Sequence, residues 1–130
     1  MIEYMAQSMN TKVDYSVAAS SFLGLSSQGK VMVGDVAFEY YNDRNVEDYI
    51  QIPWEEVDYI QASVLFGKWI NRFAIYTKKN GHFTFSAKDN KQLLREVRKY
   101  VPQEKMYRSL TFFQVITRGV KGIVRRILRK

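Results

Sequence analysis

Between residues 11 and 86 the chain is cut into short segments by turn residues, and most segments alternate with a period of two. VDYSVAAS, FLGL, KVMVGD, VAFEYYN, YIQIPW, VDYIQASVLF, WINRFAIYT and HFTFSA follow one another. They are rich in β-branched and aromatic residues, which suit a pleated, half-buried surface. The breaks are Ser26-Ser27-Gln28-Gly29, Gly34-Asp35, Asn42-Asp43-Arg44-Asn45, Gly67-Lys68 and Asn80-Gly81. Asn80-Gly81 is the strongest, since both residues tolerate the positive φ of a tight hairpin. About seven short antiparallel strands are expected.

The period then changes. KDNKQLLREVRKYV puts Leu93, Leu94, Val97, Tyr100 and Val101 on one face and Lys91, Arg95, Arg98 and Lys99 largely on the other. This predicts a helix over about 89–101, started by a Ser86 or Asp89 cap and stopped by Pro102. Such a helix covers an open end of a curled sheet. A second helix is expected over about 109–130. Phe113, Ile116, Val120, Ile123 and Ile127 step by three and four, with Arg118, Lys121, Arg125 and Arg129 opposite them. That describes a cationic amphipathic helix about 30 Å long. Gly119 and Gly122 each cost it roughly 1 kcal/mol against alanine, which favours ordering on a docked partner.

Charge separates the two parts. The chain carries 20 Lys and Arg against 13 Asp and Glu, but residues 1–104 hold 12 basic and 13 acidic groups. After Glu104 come eight basic residues and no acid. A nearly neutral body therefore bears a basic tail, and three segments are expected: 1–10 leading in, 11–103 the strand body with its helix, and 104–130 the tail. The opening MIEYMAQSMNTK lacks the charged and apolar regions of a signal peptide, and no apolar run reaches the ~20 residues of a membrane span. The expectation is a cytoplasmic protein. There is no cysteine, which removes thiol chemistry and the usual zinc ligands.

The inventory for catalysis is thin. His82, the only histidine, sits in a predicted strand beside a turn and has no identifiable orienting partner. Glu55, Glu56 and Asp58 read as a solvated sheet face. The acids of Asn42–Asp48 lack the ligand register and glycine of a calcium loop, and no phosphate-loop, dinucleotide, nucleophile-elbow or zincin motif occurs. No catalytic residue, metal or cofactor is expected. Trp54 reads as core. Phe66 and Trp69 flank Gly67-Lys68: exposed, they make a sticky patch, whereas inward bending makes them core.

The blocks SFLGLSSQGKVMVGD, FEYYNDRNVEDYIQIPWEEVDYI and RFAIYTKKNGHFTFSAKDNKQLLREVRKYVPQEKMYRSLTFFQ resemble the small ManO-type accessory proteins, over about residues 7–123. These are associated with mannose-family sugar phosphotransferase systems of Gram-positive bacteria. The strands, the IPWEEV-type segment and the following helix are also similar to pleckstrin-homology-like and GRAM-type folds. The resemblance implies an α+β fold, a curled antiparallel β-sandwich or barrel capped by a helix. It also implies a non-enzymatic regulator, peripheral at the inner face of the membrane, that binds the transporter's integral-membrane subunits. A phosphocarrier role finds no cysteine and no motif around His82.

Three readings of the tail compete: docking on membrane or transporter, nucleic-acid binding, and packing back on the body. The arc of Phe112, Phe113, Ile116, Val120, Ile123, Val124 and Ile127 is wider than a body with one covering helix needs. Burying four such side chains is worth on the order of 6–12 kcal/mol before ordering costs. Docking is favoured, with Arg118, Lys121, Arg125, Arg126 and Arg129 meeting acidic or lipid groups. Asp43, Arg44, Phe66 and Trp69 are the candidates for a secondary interface. An anionic-lipid or small-ligand module is the alternative, and nucleic acid is not expected.

Overall fold

The computed structural model describes residues 7–22, 26–45, 47–66 and 68–110. Eight strands form one sheet: β1 Val13–Ser21, β2 Ser27–Gly34, β3 Ala37–Asn42, β4 Tyr49–Pro53, β5 Val57–Leu65, β6 Trp69–Thr77, β7 His82–Ala87 and β8 Met106–Leu110. The spatial order is β4-β3-β2-β1-β7-β6-β5-β8, and every pairing is antiparallel except β5 with β8. In the ladder the two halves are joined where the end of β1, Ala19 to Ser21, pairs with β7. The sheet curls on itself about a core of Phe38, Tyr40, Phe73, Phe85, Ile60 and Ile75, all buried. Phe38, Phe73 and Phe85 meet with centroids 5.0–6.1 Å apart, in tilted and edge-on geometries that aromatic quadrupoles favour.

Among the described residues one α-helix, α1 (Asn90–Val97), covers the core with Leu93, Leu94 and Val97. Asp89 caps it, its carboxylate accepting from the Gln92 N–H at 3.0 Å. A further turn reaches Val101, which is also buried, before Pro102. Trp54, in a 3₁₀ turn between β4 and β5, donates its indole N–H to the Gly34 carbonyl at 2.9 Å and stacks on Tyr100 at 5.0 Å. The Tyr100 hydroxyl donates to Asp14 on β1. Helix end, strand connection and β1 are thereby fastened together.

Three expectations change. The break read at residues 26–29 is mostly strand: Ser27, Gln28 and Gly29 open β2 and pair with Ser21, Ser20 and Ala19, because ladder pairing with β1 overrides their turn propensity. Among the described residues the sheet has eight strands and is open between β4 and β8, in place of the expected curled sandwich or barrel of about seven. Residues 106–110, which include the expected start of the tail helix at Ser109, form β8 beside β5, from Ile60↔Met106 to Val64↔Leu110. The steps of three and four that suggest the helix begin only at Phe113, so no periodicity ties Ser109 and Leu110 to it, and β5 offers this stretch an unpaired edge. Residues 111–130 lie outside the described residues, and with them the rest of that helix.

The leading segment also joins the body. Asn10 accepts from the Val36 and Ala37 N–H groups at 2.8 and 2.7 Å. Glu39, fully buried in β3, accepts from the Ser8 hydroxyl and the Met9 N–H, both at 2.6 Å, and from Asn10 Nδ2 at 3.1 Å. A buried carboxylate demands such donors, and the chain before β1 supplies them. The Asn80-Gly81 turn forms as a longer loop in which only Gly81 takes positive φ, at 75°.

Candidate functional site

The ladder divides the sheet into two margins. The β3–β4 and β6–β7 turns lie toward one of them; the β5–β6 turn and the start of α1 lie toward the other. Because β8 runs parallel to β5, Leu110 ends beside Val64, two residues short of Phe66. The chain therefore leaves the described body at the margin of the β5–β6 turn. The tail residues Phe112, Phe113, Ile116, Arg118, Val120, Lys121, Ile123, Arg125, Arg126, Ile127 and Arg129 lie outside the described residues, but their point of departure is fixed.

At that margin Phe66 and Trp69 are 46% and 59% exposed, which decides between patch and core. Their rings meet edge-to-face at 5.8 Å. The Lys68 N–H closes the turn on the Leu65 carbonyl at 3.0 Å, and Lys68 Nζ lies 5.9 Å from the centre of the Trp69 ring. Phe66 holds φ at 56°, a left-handed conformation that costs a bulky residue about 1–2 kcal/mol. Beside the turn a groove of about 430 Å³ runs to the β7–α1 connection, where Lys88, Asp89 and Lys91 line it. Asn90 pins that connection down, donating to the Ile70 and Asn71 carbonyls at 2.8 and 3.2 Å and accepting from the Ala87 N–H at 2.7 Å.

Asp43 and Arg44 are exposed at the other margin, so the two pairs proposed from sequence as a secondary interface are not brought together. They border an open cleft of about 500 Å³ with Ser26, Ser27, Gln28 and Asn42. Asn42 shapes the loop, accepting from the Arg44 and Asn45 N–H groups at 2.7 and 3.1 Å. His82 opens β7 and stacks on Tyr76 at 4.8 Å. It closes a row across four strands, with Tyr76 on Tyr59 at 4.4 Å and Tyr59 on Tyr107 at 5.6 Å. Sequence reasoning missed this row, although alternation in β5 and β6 puts Tyr59 and Tyr76 on the outer face. Desolvation, followed by the neighbouring Tyr76, raises the Tyr59 hydroxyl above its ordinary pKa. Tyr76 stacks between His82 and Tyr59 while Tyr107 meets Tyr59 edge-on, which makes the row cross-strand packing more than a platform for a ligand. Among the described residues no group of three or more His, Asp or Glu is placed to hold a metal, and no helix is long and apolar enough to cross a membrane.

A curled, mostly antiparallel sheet with one covering helix and an aromatic, lysine-flanked margin defines a small α+β domain of a kind already seen elsewhere. The C-terminal domain of an unknown protein from Leishmania infantum is similar over 68% of this chain and 83% of its own, with a TM-score of 0.61 at 13% identity. The hSac2 domain from human phosphoinositide phosphatase Sac2 is similar over 77% and 78%, with a TM-score of 0.52 at 17% identity. These likenesses establish the fold alone. The chain belongs to the family described as Domain of unknown function (DUF956), which matches residues 5–120. No curated protein matches it.

Proposed function

We propose that the protein is a non-enzymatic adaptor that docks at the inner face of the membrane on the integral-membrane subunits of a mannose-family phosphotransferase transporter, and so modulates sugar uptake. The observation that carries the docking half is the exit of the basic tail beside the exposed Phe66 and Trp69. An amphipathic cationic segment leaving next to solvent-exposed aromatics forms one contact region, and surface of that composition is suited to binding. The choice of partner rests on the resemblance to ManO-type proteins. The body supplies a rigid frame, and the tail lays its apolar stripe on the partner while Arg118, Lys121, Arg125 and Arg129 meet acidic groups or lipid phosphates.

The test is affinity capture from detergent-solubilised host membranes. Full-length protein is compared with a variant in which those four basic residues are replaced by glutamate. Recovery of the transporter subunits by the native chain and their loss in the variant, at an unchanged melting temperature, is the expected result. A large drop in melting temperature would show that the tail packs on its own body. Failure of the native chain to recover the subunits removes the adaptor reading.

A further inference from the structure

The margin at Phe66 and Trp69 has features that a landing place for the tail would not have. The tail carries six basic residues after Leu110 and no acid. The groove beside Trp69 is itself cationic, with Lys68, Lys88 and Lys91 all exposed along it. Asp89 is the one acid lining that groove among the described residues, and its carboxylate already caps α1. Like charge opposes the tail as the occupant. The groove thus gathers positive charge at the margin where the chain leaves the described body, although residues 1–104 as a whole are nearly neutral.

The aromatics point to the kind of surface that answers this charge. Trp69 stands more than half exposed, and Phe66 is held outward by a left-handed backbone that burial does not require. A single wide ring set among lysines with long apolar stems is suited to the boundary between headgroups and acyl chains, where the ring enters and the ammonium groups stay at the phosphates. We infer that this margin of the folded body is itself a membrane-contact surface for an anionic bilayer. Trp69 and Phe66 enter the interface, and Lys68, Lys88 and Lys91 engage lipid phosphates. The inference rests on the docking reading only in placing the protein at a membrane, and it needs no transporter.

The chain has two tryptophans, and Trp54 is half-buried, held by its bond to Gly34 and its stack on Tyr100. Trp54→Phe in the full-length chain leaves Trp69 as the sole reporter. Vesicles of phosphatidylglycerol and phosphatidylcholine in equal amounts should shift Trp69 emission to the blue, and brominated lipid should quench it. Phosphatidylcholine vesicles alone should do neither. Should Trp54→Phe fold poorly, the native chain compared with Trp69→Phe yields the same signal as a difference. Replacing Lys68, Lys88 and Lys91 together by glutamine should weaken partitioning on the order of a hundredfold, near fivefold for each lysine at an anionic surface. Co-sedimentation with anionic vesicles while Trp69 emission stays unmoved would show that the tail alone binds, and would overturn the inference. So would an absence of co-sedimentation, or partitioning unchanged by the lysine replacements. Capture of transporter subunits by a chain whose Trp69 does not respond would leave the docking reading standing without this one.

Discussion

Tyr100 shows how much a single side chain can hold together here. Its ring carries the Trp54 indole, and its hydroxyl donates to the Asp14 carboxylate on β1. That hydrogen bond, aided by desolvation, pushes its pKa from 10.0 up to about 12. The folded state therefore keeps a proton that the unfolded chain gives up. The resulting stability is complete below pH 10 and is lost as pH rises toward about 12. Tyr100→Phe should melt lower than the native chain at neutral pH, and the gap should narrow across that window. Melting curves of the two proteins test this, and a constant gap would refute it. Gly34 makes the opposite demand, for absence. A Cβ there would collide with the Asn10 side chain and, at 2.5 Å, with the Lys12 carbonyl oxygen. Backbone cannot give way as a flexible side-chain tip can. Gly34→Ala should therefore lose about 1–3 kcal/mol in urea unfolding, and a neutral result would mean that the leading segment does not lie where it is described.

At the scale of elements, the segment before β1 behaves as part of the sheet's hydrogen-bonding system. Removing residues 1–10 takes away Ser8, Met9 and Asn10, and leaves Glu39 with Gln51, at 3.3 Å, and the Tyr41 hydroxyl, together with two bare N–H groups at Val36 and Ala37. The expected cost is about 3–5 kcal/mol, from a carboxylate stripped of three donors and from lost bonds to backbone donors. Denaturant unfolding of the shortened chain measures it. Sequence patterning could not foresee this, because a tether made of Ser, Met and Asn has no periodicity; its partner Glu39 sits in an otherwise aromatic strand where a charge reads as outward. The other elements were legible for physical reasons. Val31 and Val33 alternate inward in β2, and Leu93, Leu94 and Val97 share one face of α1, because burial on one side imposes those periods. The Asp89 cap was legible as a local bond. β8 was not: MYRSL fits both a strand and a helix start, and the unpaired edge of β5 that decides between them exists only in three dimensions. The same limit hid the His82–Tyr76–Tyr59–Tyr107 row, whose members meet only once the register of four strands is set.

For the molecule as a whole, β8 fixes where the body ends. A cut after Gln103, the boundary that sequence suggests, strips β8 and bares the edge of β5 over its paired stretch from Ile60 to Val64. An exposed edge is a template for pairing with another chain. That truncation should self-associate or aggregate, whereas a cut after Leu110 should leave a well-behaved monomeric body; size-exclusion chromatography with light scattering separates the two. Equal behaviour would mean that β8 adds nothing to the sheet.

The parallel course of β8 also sets a distance. With β8, β5 and β6 adjacent, Leu110 and the start of β6 are two strand spacings apart, about 10 Å. On the proposed reading the aromatic turn and the tail act as two weak grips on one short, stiff frame. The second engages at an effective concentration set by that spacing, so their joint affinity exceeds either alone by about 10²–10⁴. Either grip measured in isolation would look negligible, while the loss of one would release both.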